Sequence, residues 1–185
     1  FNEIAGYIDA VGPSGSRIDN VNSGTKYGGR VALALKLSER LSITPRLVYQ
    51  NLETSGFPRA DIFNVLANPY TQTRSAVTLG PNEQYIQLEE SLDDEFLMVD
   101  TLIKFAWDGA SLTSVSSVID RDITVVRDSG QLTTSILAQP TGFDLSGAVL
   151  ELDAPLIDRT SLKLFSQELR INSENDTRLQ YVVGG

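Results

Sequence analysis

From Tyr27 the chain alternates. Tyr27, Gly29, Val31, Leu33, Leu35 and Leu37 fall on one face; Gly28, Arg30, Ala32, Ala34, Lys36 and Ser38 fall on the other. A period of two sustained over about 11 residues predicts a β-strand of membrane-crossing length, longer than the 5–6 residues usual in globular sheets. After the polar connection Ser38-Glu39-Arg40 the alternation resumes. Leu41, Ile43, Leu47 and Tyr49 lie opposite Ser42, Thr44, Arg46 and Gln50. Pro45 weakens this strand because it cannot donate to a ladder. The two runs predict a hairpin.

A second hairpin is expected from near Asp94. Leu97, Val99, Ile103, Phe105 and Trp107 share a face; Asp94, Asp100 and Lys104 share the other with Met98 and Leu102. Asp108-Gly109 is a strong two-residue turn signal. The return strand, Ala110 to about Ile119, carries Ser, Thr and Val on both parities, which leaves its facing open. A third hairpin starts near Ser161, with Phe165, Leu169 and Ile171 opposite Ser166, Glu168 and Arg170. It turns at Asn172–Thr177 and returns from Arg178 with Leu179, Tyr181 and Val183 on one face. Ile4 to Val11 reads as the end of an earlier strand.

Short turns therefore alternate with connections of about 40 residues, Asn51–Asp93 and Asp120–Thr160, whereas compact domains seldom hold structureless loops beyond about 12–15 residues. The arrangement recurs at about 67 residues, too long for a solenoid repeat. Outer-membrane barrels have this asymmetry, with short periplasmic turns and long outer loops. In hydrocarbon every backbone amide must be paired, so only helices and closed barrels span. Arg30, Lys36, Arg46, Asp100, Lys104, Glu168 and Arg170 sit at mid-strand in one consistent phase. On a lipid face each Arg or Lys would cost about 2–4 kcal/mol near the midplane; in a wet lumen they cost little. The expected fold is all-β: an antiparallel up-and-down transmembrane β-barrel, present in part as about six or seven strands over residues 1–185.

Composition narrows the function. The 185 residues carry a net charge of −9, which argues against nucleic-acid binding. There is no Cys and no His, which removes disulfides, thiolate metal sites and the commonest general base. No apolar run approaches the roughly 18 residues of a transmembrane helix, a test to which strands are blind. The chain starts at Phe1 without a basic n-region and apolar h-region, and Leu179–Gly185 reads as a strand cut in mid-run. Both ends suggest a piece of something longer.

Short segments also match a family. Gly6-Tyr7-Ile8-Asp9, Thr25-Lys26-Tyr27-Gly28-Gly29-Arg30 and Phe165-Ser166-Gln167-Glu168-Leu169-Arg170 resemble recurring segments of TonB-dependent receptor barrels. So do Leu92-Asp93-Asp94-Glu95-Phe96 and Ile119-Asp120-Arg121-Asp122, in the family's order. The resemblance implies a plugged barrel of about 22 strands in the Gram-negative outer membrane. It implies uptake of a bulky, scarce solute, first of all a ferric siderophore, and contact with outer-membrane lipid and lipopolysaccharide. Coupling to the TonB–ExbB–ExbD complex would run through an N-terminal plug region that this sequence does not include. No enzymatic activity, cofactor or metal is expected, and no ligand-binding residue is assigned.

Other features have competing readings. Glu83, Glu89, Glu90, Asp93, Asp94, Glu95 and Asp100 form an acidic stretch without a base. A Ca²⁺ site would need an EF-hand spacing that is absent, so a solvated acidic loop base is the plainer reading. Asp93-Asp94-Glu95 cannot act as a glycosidase pair, because strand neighbours point to opposite faces. Ser14-Gly15-Ser16 reads as a loop tip, and Gly28-Gly29 as a bend or lumen position. Tyr7, Tyr27, Tyr49, Trp107 and Tyr181 suit an interfacial aromatic girdle. Arg59, Tyr70, Arg74, Tyr85, Arg121 and Arg127 are loop residues suited to an anionic ligand. Ala60–Ala67 reads as a short helix capped by Asp61. Two other functions compete: a soluble secreted β-sandwich binding module, and a β-rich acid hydrolase using Asp and Glu.

Overall fold

The computed structural model describes residues 1–12, 15–61, 79–130, 133, 153–175 and 178–185. Eleven strands account for most of them: β1 Asn2–Ile4, β2 Asp9–Val11, β3 Arg17–Ile18, β4 Gly24–Ala32, β5 Leu35–Lys36, β6 Leu41–Thr54, β7 Glu83–Tyr85, β8 Ser91–Trp107, β9 Ala110–Asp128, β10 Pro155–Ser173 and β11 Val182–Gly184. Eight form one large antiparallel sheet in the order β1-β4-β6-β8-β9-β10-β11, with β5 on β6. Its long strands thus lie beside their sequence neighbours, as alternating runs joined by tight turns require. The path ends at β1 and β11, so among the described residues the sheet is open and does not close into a barrel. No helix among those residues is long and apolar enough to cross a membrane.

Several strands outrun the sequence pattern. β8 begins at Ser91 rather than near Asp94, β9 continues past Ile119 to Asp128, and β10 begins at Pro155 rather than Ser161. The connections are correspondingly shorter than expected: Ser55–Glu90, which itself contains β7, and Ser129–Ala154. The ladder continues where the apolar alternation has stopped, because backbone pairing does not need an apolar face. Pro45 lies inside β6, and its carbonyl still accepts the Leu33 N–H at 3.1 Å. The stretch Ile4–Val11 is not one strand end: β1 pairs with β4, whereas β2 belongs to a second sheet. The last return run is a strand only over Val182–Gly184, where Val183 lies opposite Ile171.

Contacts divide the chain into two compact units. Unit 1 comprises Phe1–Lys26, Leu52–Asp94 and Ile123–Thr160; unit 2 comprises Tyr27–Asn51, Glu95–Asp122 and Ser161–Gly185. In unit 1, β3-β2-β7 form a small mixed sheet, antiparallel between β2 and β3 and parallel between β2 and β7. Ile8, Ala10, Val21 and Ile86 pack beneath it as a small core. The buried Asn22 carboxamide oxygen accepts the backbone N–H groups of Tyr7 and Ile8, both at 2.8 Å, and so fixes the chain entering β2.

Unit 2 is built from hairpins. Gly109 closes the β8–β9 turn at φ 87°, a conformation open to glycine at little cost. Gly28 serves another need. A Cβ there would lie 2.4 Å from the Tyr49 carbonyl oxygen, so only glycine lets β4 approach β6 this closely; beside Gly29 there is open space. The turns touch one another: Ala106 N–H donates to the Arg40 carbonyl and Glu174 N–H to the Gly109 carbonyl, both at 2.8 Å.

Candidate functional site

The two faces of the sheet in unit 2 differ in chemistry. One carries Tyr27, Val31, Leu33, Leu35 and Leu37, then Leu47, then Leu97, Val99, Phe105 and Trp107, then Phe165, Leu169 and Ile171, all exposed. Leu33 is 56 %, Val99 44 % and Leu169 48 % exposed, so these side chains do not meet in a core. Nothing in an aqueous setting favours so many uncovered side chains, since burying one Leu or Val is worth about 1.5–3 kcal/mol. Phe105 and Trp107 lie at the end of β8, whereas Tyr27 and Tyr49 lie within β4 and β6 and Phe165 lies in the middle of β10. The Tyr27 and Tyr49 rings are 6.3 Å apart, with the Tyr49 hydroxyl 3.1 Å from Glu95, and Phe105 lies 6.0 Å from Trp107. Tyr7 and Tyr181 depart from the expected girdle, because they precede β2 and β11 outside any strand.

The opposite face carries most of the ionic residues, and on β10 also the exposed Leu162 and Leu164. Arg46 Nε bonds the Asp100 carboxylate at 2.5 Å from β6 to β8, and Asp100 is only 4 % exposed. Arg170 pairs with Glu168 along β10. The β9 facing, open from sequence, follows from side-chain contacts. Ser117 bonds Ser166 on the ionic face at 2.7 Å. Gln167, on the Phe165 and Leu169 face, bonds Ser114 at 3.0 Å and also Ser116. Ser114, Ser116 and Val118 therefore share the apolar face. Asp120 and Lys163 pair at 3.5 Å on that same parity.

Toward the turns, the ionic face opens into a cavity of about 550 Å³ lined by Lys36, Arg40, Lys104, Thr44 and Thr113. Lys36 bonds Glu39 at 3.0 Å and Arg40 bonds Asp108 at 3.0 Å. Lys104 has no carboxylate within ion-pair distance among the described residues.

In unit 1, Glu83 and Glu90 of the acidic stretch each meet an arginine distant in sequence. Arg17 reaches Asp9 at 2.6 Å, Glu83 at 2.5 Å and Asp19 at 3.3 Å. The Asn20 N–H and the Arg17 guanidinium hold the Asp9 carboxyl below the usual carboxylate range. The Gly80 N–H, aided by Arg17, does the same for Glu83. Glu90 is buried, and Arg59 meets it at 3.3 Å while the Asp128 N–H donates to it at 3.0 Å. Periodicity carries no trace of these pairings, which join segments up to 66 residues apart.

Asp93 and Glu95 are exposed and Asp94 between them is buried, so the three acids do alternate in facing. Among the described residues no group of three or more carboxylates is arranged to hold a metal. Gly15, at φ 74°, donates to the Gly12 carbonyl in a tight loop tip; Ser14 lies outside the described residues. Of the expected Ala60–Ala67 helix, Ala60 and Asp61 are described and not helical, Asp61 accepting the Tyr85 N–H at 2.8 Å, and residues 62–67 lie outside the described residues. Tyr70 and Arg74 also lie outside them. Tyr85 is buried. Arg121 and Arg127 belong to β9 and not to a loop, and the Arg127 guanidinium lies 5.4 Å over the Phe57 ring. No protein-family model, no curated protein and no solved structure matches this chain.

Proposed function

We propose that the chain is part of the wall of an outer-membrane β-barrel transporter of the TonB-dependent receptor type. On this reading the apolar face meets lipid and the ionic face meets a water-filled lumen. The observation that carries it is the uncovered apolar face: Val99 and Leu169 are about half exposed on strands of 17 and 19 residues, long enough to cross a bilayer, and Leu33, in the break between β4 and β5, is exposed as well. Scale supports it. From Leu97 to Trp107 the strand advances about 33 Å, which at a tilt of about 40° gives about 25 Å along the membrane normal, the height of a barrel's apolar band. Tyr49 and Glu95 would mark one border of that band and Trp107 the other. A soluble sandwich would cover the face with a second sheet, and a hydrolase would need two acids converging on a pocket.

The open edges at β1 and β11 would pair with further strands of the same barrel, since an unpaired edge is untenable in hydrocarbon. The solute would be bulky and scarce, a ferric siderophore foremost, with energy supplied through TonB–ExbB–ExbD. Two experiments test this. The protein should stay with membranes through an alkaline carbonate wash, and its gel mobility should change on boiling; release into the supernatant rejects the barrel. Transcript induction under iron limitation supports a siderophore; indifference to iron points to another nutrient.

A further inference from the structure

Charge is unevenly distributed between the two units. Unit 2 holds nine Lys and Arg against nine Asp and Glu, so the net charge of −9 belongs wholly to unit 1. Within neutral unit 2 the ionic face is itself basic. Arg30, Lys36, Arg46, Lys104 and Arg170 share it with only Asp100 and Glu168, both already engaged by arginines. A cavity of about 550 Å³ lies on that face, at the turn end. Lys36 and Arg40 there are paired with acids, whereas Lys104 is exposed and has no such partner among the described residues. The hydroxyls of Thr44 and Thr113 line the same space. Glu39 also lines it but is held by Lys36, and Glu174 lies at the turn.

We infer that this cavity is a binding site for a small polyanionic solute bearing carboxylate or phosphate groups, with Lys104 as its principal charge contact. The volume falls within the about 300–1,000 Å³ typical of small-molecule sites. An ammonium with three donors and no carboxylate partner, beside hydroxyl groups, suits an anionic oxygen. The inference rests on the proposed function in one respect: it takes the ionic face to be open to water and solute.

The test is calorimetric titration of the membrane-extracted protein in detergent with citrate and, separately, pyrophosphate, each at two salt concentrations. Saturable binding that weakens with salt is expected. Lys104→Ala should raise Kd about tenfold, the loss of one charge-assisted hydrogen bond. Lys104→Arg should largely retain binding, and Lys163→Ala, on the other face, should leave it unchanged. A preference for citrate assigns carboxylate chemistry, and a preference for pyrophosphate assigns phosphate. Absence of saturation, or equal binding by the wild type and Lys104→Ala, overturns the inference. Carbonate resistance is scored on the same preparations. Failure of binding in a membrane-retained protein sinks the site alone, whereas release from the membrane sinks the barrel whatever citrate does.

Discussion

Replacing Val99 by Arg separates a lipid-facing position from a water-facing one. Val99 is half exposed on a central strand, about four residues inside the Glu95 border and eight from Trp107. At about 3.4 Å per residue and a tilt of about 40°, that places it about 10 Å below one border and about 5 Å from the midplane. A cation there costs about 2–4 kcal/mol, reduced when the side chain snorkels toward the nearer border. In the ratio of folded to unfolded protein this is a factor of about 30 to 1,000. On a water-exposed sheet the same change stays within about 0.5 kcal/mol. The assay is reversible urea unfolding in phospholipid vesicles, followed by the fluorescence of the single Trp107 and by the boiling-dependent gel shift. A cost below about 0.5 kcal/mol would refute the lipid-facing assignment. Lys104→Arg, on the opposite face, serves as the matched control and should change stability little.

Other predictions follow from particular contacts. Arg46→Ala leaves the buried Asp100 carboxylate without its partner and should destabilise the sheet by up to about 3 kcal/mol, less than the full buried-pair cost because Arg46 itself is half exposed. In the double variant with Asp100→Ala much of that loss should return in the same unfolding assay, and strict additivity would contradict the pair. Gly28→Ala drives a Cβ against the Tyr49 carbonyl and should cost about 1–3 kcal/mol, whereas Gly29→Ala should be tolerated. Folding yield on gels distinguishes the two. The carboxyls of Asp9 and Glu83 are held below their usual range, so each lends stability above its unfolded pKa, of about 4. That contribution disappears as pH falls through the depressed folded values. Hydrogen-exchange protection factors over β2, β3 and β7, taken relative to the unstructured rate at each pH, should therefore fall on acidification below about pH 4, and Arg17→Ala should lower them at neutral pH already.

The strands of unit 2 were legible because side-chain facing has a fixed period and one face had to be apolar. Leu47, Val99 and Leu169 lie in strands at the positions the alternation assigns them, whereas the run expected over Tyr27–Leu37 is broken, β4 ending at Ala32 and β5 covering only Leu35–Lys36, so Leu33 falls outside any strand. Strand ends were less legible. Asp122, Asp128 and Asp158 read as loop, yet they extend the ladders of β9 and β10, since backbone hydrogen bonds are indifferent to side-chain polarity. The facing of β9 could not be read because Ser occurs on both parities; it took Ser114 on Gln167 and Ser117 on Ser166 to fix it. The small sheet left no periodic trace. Its strands are two or three residues long, and the parallel pairing of Asp9 with Glu83 joins segments that no local pattern connects. The candidate anion site was half visible: Lys36 and Lys104 shared a phase from the outset, but the pairing of Lys36 with Glu39, which singles out Lys104, is a fact of three dimensions.

The most direct test of the two-faced sheet is depth-resolved accessibility. The chain has no Cys, so single cysteines at Leu33, Val99 and Leu169, and at Arg30, Lys104 and Arg170, each carry one spin label unambiguously. With the protein reconstituted in vesicles, the first set should collide with oxygen dissolved in lipid and be shielded from a water-soluble nickel chelate. The second set should give the reverse. Equal access of both sets to the chelate, or shielding of Leu33, Val99 and Leu169 from both reagents, would contradict the account.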